Sequence, residues 1–187
     1  MAHQNLSAAE AMTKLKEGNV RYLDAVNNPG DVSVQLRKKT CDEGQTPYAI
    51  VITCSDSRVI PESIFTAGIG ELFVIRVAGN VMDQHQLGSV EYAADHLGCN
   101  LVLVLGHTHC GAVGATITSN PSGFVKSITD EIRKAIGDEK DEYKASCLNV
   151  ERSVSIIKEK LNLTGESSLK ACGAIYHIDT GRVEFMD

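Results

Sequence analysis

Cys54, Asp56 and Arg58 alternate with serines in Cys54-Ser-Asp-Ser-Arg58, directly after the apolar run Tyr48-Ala-Ile-Val-Ile-Thr53. A thiol, a carboxylate and a guanidinium at a strand exit can act as metal donor or nucleophile, as acid–base group and as fixed counter-charge. A second polar cluster, Gly106-His-Thr-His-Cys-Gly111, follows the apolar run Leu101 to Leu105. His107 and Cys110 are close enough in sequence for one turn to bring an imidazole and a thiolate to the same ion. With Cys54 they form a Cys-His-Cys set, the soft N/S donor type suited to zinc, and three donors rather than four leave a position for water. The chain has no Cys-x-x-Cys pair, which argues against a ribbon or finger. The same residues also allow Cys54 and Cys110 to be buried, inert thiols, a common fate of cysteine. Spacing alone leaves both readings open.

Two other chemistries fail on spacing. A cysteine phosphatase places its arginine six positions after the nucleophile, whereas Arg58 is four after Cys54. Gly68-Ile-Gly70 precedes a strand instead of opening a helix, so it is no dinucleotide fingerprint.

The elements that must position these groups follow from periodicity. Residues 48–53, Leu72 to Val77 and Leu101 to Leu105 are apolar nearly throughout, as in parallel strands covered on both faces. Leu87, Val90, Ala94 and Leu97 form a helical stripe between the second and third, which makes a βαβ unit. Ligands in such sheets bind beyond the carboxyl ends of the strands, which predicts that the two polar clusters meet. Ser7 and Glu10 form a capping box before a helix carrying Ala8, Met12, Leu15 and Tyr22, broken at Asn27-Asn-Pro-Gly30. Pro61 predicts a short helix near Ile64-Phe65, and further helices are expected over Gly111 to Thr118, Val125 to Ile136 and along Val150, Val154, Ile157 and Leu161. Gly137 to Glu142 reads as a solvated turn or helix start, and Leu169 to Ile178 with Arg182 to Phe185 as a terminal hairpin. The expected fold class is α/β, a single domain over 1–187. About four parallel strands and a C-terminal antiparallel edge strand are flanked by helices, with an N-terminal helical arm over 1–30 set against a partner subunit.

Bulk properties narrow the function classes. The 187 residues are 43% hydrophobic and 22% charged, which suits a folded single domain. A formal charge of −6, with no basic run longer than Arg37-Lys-Lys39, argues against nucleic acid or an anionic membrane as partner. The longest apolar runs are too short to cross a bilayer. Met1 to Ser7 shows no secretory pattern, so a cytoplasmic location is expected, where the six cysteines divide into inert thiols and a few metal-binding ones.

The chain also resembles the β-class carbonic anhydrases through Cys54-Ser-Asp-Ser-Arg58, Glu71-Leu-Phe-Val-Ile-Arg-Val-Ala-Gly-Asn80, Glu91-Tyr-Ala93, Gly106-His-Thr-His-Cys-Gly111, Gly173-Ala-Ile-Tyr176 and Asp179-Thr-Gly181. The resemblance implies one Zn²⁺ per subunit held by Cys54, His107 and Cys110, with Asp56 and Arg58 as a catalytic dyad. It implies reversible hydration of CO₂ to bicarbonate and a proton through zinc-bound hydroxide. Substrate contacts carry over to Gln45, within Gly44-Gln-Thr-Pro47, to Phe73 and to Gly111. Proton transfer carries over to Tyr92 and His96, with His85 as a further candidate and His109 beside the ligands. A homodimer or dimer-based tetramer is implied, with Gln45 reaching the neighbouring subunit's pocket. Some bacterial members have an inhibitory bicarbonate site that starts with a Trp where this chain has Val51; Arg76 occupies its arginine position. That departure argues for an open, water-ligated zinc instead of Asp56 bound to the metal. Hydrolysis of CS₂ or COS on the same fold, and a non-catalytic zinc module, are the alternatives.

Overall fold

In the computed structural model, residues 5–25, 27 and 30–186 are described. The sheet consists of β1 (Ala49–Thr53), β2 (Leu72–Arg76), β3 (Leu101–His107), β4 (Lys170–Tyr176) and β5 (Val183–Phe185). Its spatial order is β2-β1-β3-β4-β5. β1 pairs in parallel with β2 and β3, β3 pairs in parallel with β4, and β5 closes the far edge antiparallel to β4. The expected α/β class, parallel strands and antiparallel terminal edge are all present.

The apolar runs explain this arrangement. Every residue of β1 and β3 is buried, so both faces of these strands need cover. Side chains alternate between faces, which splits the core into two layers. Val51, Leu103 and Leu105 pack with Ala11, Leu15, Ile64 and Phe65 on one side. Ile50, Ile52, Val102 and Val104 pack with Val90, Ala93, Val150 and Ile157 on the other. The covering helices are α1 (Ala8–Leu23) and the short α3 (Pro61–Ile64) on the first face, and α4 (Gln84–Leu97) and α7 (Glu142–Lys160) on the second. The Ser7–Glu10 capping box forms as expected. α5 (Gly111–Thr118) and α6 (Val125–Ile136) pack together beyond the carboxyl ends of the strands.

Two details depart from the sequence expectations. Helix α2 (Val34–Glu43) was not anticipated; Ser33 caps it by accepting from the Leu36 N–H, but none of its residues is buried, so no apolar stripe announces it. β3 runs on through His107, two residues past the apolar run. The charged segment does supply a helix start, as one of its two expected readings: α7 begins at Glu142, and Asp141 accepts from the Lys144 N–H as its cap. The expected chain break at Asn27 to Gly30 lies partly outside the described residues, at Asn28 and Pro29. Among the described residues, no helix is long and apolar enough to cross a membrane.

α1 is fixed to its own sheet by close approach and by polar anchors. A Cβ on Gly18 would lie 2.0 Å from the Phe65 carbonyl oxygen, so only glycine lets α1 sit this near α3. Buried Asn19 donates to the Ile64 and Gly181 carbonyls and accepts from the Val183 N–H, tying α1 to the terminal hairpin. Lys14 pairs with Glu71 at 2.7 Å. Gly18→Ala is therefore expected to lower stability by roughly 1–3 kcal/mol, seen as a lower urea midpoint at unchanged slope. Burial pushes the Glu71 pKa up, but Lys14 and the Gly68 N–H outweigh it and hold the carboxyl below its ordinary 4.5. A depressed acid adds stability that is fully present above its unfolded pKa and fades as pH falls through the folded value. The stability gap between wild type and Glu71→Gln should accordingly be constant near neutrality and shrink below about pH 4.5, as measured by urea titration across pH.

Candidate functional site

The strand order reverses direction of growth between β1 and β3, and this switch point opens a crevice at the carboxyl ends. Cys54 is the first residue after β1, His107 the last of β3, and Cys110 the residue that precedes α5. Thr53 Oγ1 donates to the Leu105 carbonyl at 2.7 Å and locks the two strand ends together. The donor atoms of Cys54, His107 and Cys110 all lie within 4.8 Å of one another, and all three residues are buried. The structure thus brings together side chains that the sequence separates by half the sheet.

The chemistry of this cluster fits a divalent metal. His107 Nδ1 faces the Thr108 carbonyl at 2.9 Å; a carbonyl can only accept, so Nδ1 carries the proton and the Nε2 lone pair is free. That Nε2 is buried with no hydrogen-bond partner, an orphan of the kind a metal satisfies. The thiol pair lacks charge balance. Hydrogen bonding from Cys110 pushes the Cys54 pKa down against the effect of burial, with the Gly79 N–H assisting. Cys110 is pushed far up, because it holds the proton it shares with Cys54 and because it is buried beside that negative sulfur. Two thiolates cannot coexist here unaided, whereas a dication stabilises both and displaces the remaining proton.

Asp56 and Arg58 flank the cluster on the loop leaving Cys54. Arg58 Nε and Nη2 donate to the two Asp56 carboxylate oxygens at 2.9 and 2.7 Å, and the Arg58 N–H adds a bond of 2.9 Å. These bonds, those of the guanidinium foremost, hold the Asp56 pKa far below the usual carboxylate range. Arg58 Nη2 also donates to the His109 carbonyl at 3.2 Å, joining the loop after β1 to the loop after β3. His109 itself takes a left-handed backbone (φ 56°), and its ring lies 3.9 Å from the Glu142 carboxylate at the start of α7. Arg76 completes the frame: its guanidinium donates to the Cys54 carbonyl at 3.1 Å and to the Asp56 carbonyl at 2.7 Å. Sequence reasoning gave Arg76 no such role. Its signal was a lone cation at the carboxyl end of an apolar strand, level with Thr53 on the neighbouring strand.

The other candidates occupy different places. Gly111 opens α5 beside Cys110, and nothing lies within 4 Å of where its Cβ would be. Gln45 is exposed and precedes β1, at the end of the sheet opposite Cys54. Phe73 is level with Ile50, four residues before Cys54, or about 13 Å along the strand. Its ring stands 6.2 Å from Tyr92, which stands 5.2 Å from His96, a row on the flank formed by β2 and α4. Within one chain this row and Gln45 are set apart from the Cys-His-Cys cluster. His85 is exposed at the first turn of α4, and Val51 is fully buried in β1.

Residues 49–183 match the family model described as carbonic anhydrase. A carbonic anhydrase of Mycolicibacterium smegmatis is 35% identical, over 96% of this chain and 94% of its own length. The crystal structure of the β-carbonic anhydrase CafA of Aspergillus fumigatus covers 96% of this chain and 90% of its own, with a TM-score of 0.73 at 23% identity. A tetrameric β-carbonic anhydrase from Sordaria macrospora covers 81% of this chain and 91% of its own, with a TM-score of 0.65 at 25% identity.

The cluster makes a direct prediction. Zinc-loaded wild type dialysed against a weak chelator is expected to keep near-stoichiometric metal. Cys54→Ser and His107→Ala should lose nearly all of theirs while retaining the wild-type circular dichroism, with metal read by elemental analysis.

Proposed function

The chain belongs to the carbonic anhydrase family, in its β class, and we propose that it interconverts CO₂ and bicarbonate at a Zn²⁺ held by Cys54, His107 and Cys110. The observation that carries this reading is the Asp56 carboxylate, kept ionised by Arg58 on the same loop as a buried, uncompensated thiol–imidazole cluster. When bound, zinc supplies a Lewis acid able to bring the pKa of a water molecule from about 15.7 to near neutrality.

The protein's own groups do the rest. An ionised carboxylate is a pure acceptor, so Asp56 can hold an O–H of the attacking oxygen and turn that oxygen's lone pair toward the carbon of CO₂. A C–O bond forms as one C=O π bond of CO₂ breaks and its electrons pass to oxygen, one O–H bond breaks, and a proton leaves for solvent, so that CO₂ and water give bicarbonate and H⁺. Arg58 keeps Asp56 charged and aimed, and its bidentate grip opposes rotation of the carboxylate onto the metal. Arg76 fixes the loop backbone from the other side through two carbonyls. The Thr108 carbonyl sets the His107 tautomer that leaves Nε2 available.

Gln45 and Phe73 cannot reach this cluster along their own chain, so we assign them to the pocket of a second copy in a homodimer or dimer-based tetramer. The amide of Gln45 donates a hydrogen bond to bicarbonate, Phe73 walls the apolar CO₂ pocket, and Gly111 leaves room beside Cys110. Tyr92 and His96 extend the same flank as a proton exit, and the exposed Val20 and Leu23 of the helical arm face the partner. The chain works in the cytoplasm.

Stopped-flow CO₂ hydration tests the reading. Metal-replete wild type is expected to accelerate hydration, and metal-replete protein without activity would overturn the proposal. Asp56→Asn should retain zinc but lose about a hundredfold or more in kcat/KM, the usual contribution of a positioned acid–base group.

A further inference from the structure

α7 turns Ser146, Asn149 and Ser153 into the interior, where each is 3% exposed. A polar stripe in a core demands partners. Ser146 satisfies itself on the Glu142 carbonyl of its own helix. Asn149 and Ser153 do not stop there: Asn149 Nδ2 donates to the Gly79 carbonyl at 2.7 Å, and Ser153 Oγ reaches the Asn80 carbonyl at 3.1 Å.

Their target is the short 3-10 turn Ala78–Asn80 that follows β2, and its backbone is unusual. Gly79 (φ 68°) and Asn80 (φ 44°) are consecutive left-handed residues. Left-handed backbone at a non-glycine residue is costly and persists where the surroundings over-determine it. Glycine suits the first position, since its φ of 68° strains any other residue and a Cβ there would crowd Ile132 Cδ1 at 2.7 Å and Ala112 Cβ at 3.1 Å. The turn delivers one thing to the metal centre: the Gly79 N–H, which donates to Cys54 Sγ at 3.3 Å in a buried contact.

We propose that Asn149, seconded by Ser153, is a positioning residue for the metal centre, acting through the Gly79–Asn80 turn to hold a hydrogen bond on the Cys54 sulfur. The proposal rests on the reading of Cys54 as a zinc ligand. A donor on a thiolate stabilises the sulfur lone pair and fixes the direction in which it is offered. Loss of the Asn149 amide frees the strained turn to relax and withdraws that donor.

Cobalt(II) substitution of the full chain tests this with a readout other than turnover. Leucine is close to asparagine in shape and cannot donate. Asn149→Leu is therefore expected to shift the thiolate-to-cobalt charge-transfer band to lower energy, because the sulfur lone pair rises, and to weaken cobalt retention against a chelator by about tenfold or more. Ser153→Ala, a milder change that keeps the fold if Asn149→Leu does not, should move both readouts the same way by less. Asn19→Leu is the comparison, since it removes an equally buried main-chain anchor on α1 and should leave band and retention unchanged. Wild-type band and retention in Asn149→Leu or, where only that variant folds, in Ser153→Ala would overturn the proposal, as would changes no larger than those of Asn19→Leu. A wild type that takes up neither zinc nor cobalt would overturn the zinc reading and this one with it.

Discussion

Two sulfurs and an imidazole nitrogen share one buried space less than 5 Å across, and the two thiols cannot both ionise there without a cation. Much of the surrounding structure answers that constraint. The Gly79 N–H and the first turn of α5 bring positive dipole ends to the two sulfurs, and the Thr108 carbonyl fixes the proton of His107 on the far side of its ring. Each of these groups is main chain, so the site is held by backbone conformation more than by side-chain choice.

The loop after β1 is the most heavily anchored segment around the cluster. Arg58 binds its Asp56 carboxylate and reaches across to His109, while Arg76 binds its carbonyls from β2. Two cations therefore surround one carboxylate loop, and they divide the labour. Arg58 works on the charge of Asp56, and Arg76 works on the backbone that carries it. Loops after three strands, β1, β2 and β3, become one rigid rim, which suits chemistry on a very small substrate whose own contacts supply little orientation.

Legibility followed periodicity and local spacing. β1, β2 and β3 announced themselves as short continuous apolar runs, α1 and α4 through apolar residues that repeat with the helical period, and the terminal hairpin as two runs either side of a turn. α2 did not, because none of its residues is fully buried and its clearest signal is the Ser33 cap. The His107–Cys110 spacing was visible, but that His107 is itself a strand residue level with Tyr176 was not, since a histidine interrupts the apolar run. Asn149 and the loop-holding role of Arg76 were missed for a related reason. Each acts on main-chain atoms of residues distant in sequence, and such partners leave no trace in spacing.

The sequence by itself determined the donor types, the Asp56–Arg58 pairing and the parallel α/β class, because these depend on residues that are neighbours or that repeat along an element. Tertiary structure decided which cysteines out of six meet one histidine, because β1 and β3 become neighbours only in the sheet. It decided that Arg76 and the Gly79 turn belong to the same centre. It also set Gln45, Phe73 and Tyr92 at a distance from the cluster of their own chain. A strand has two ends, and these residues occupy the end and edge that the Cys-His-Cys cluster does not.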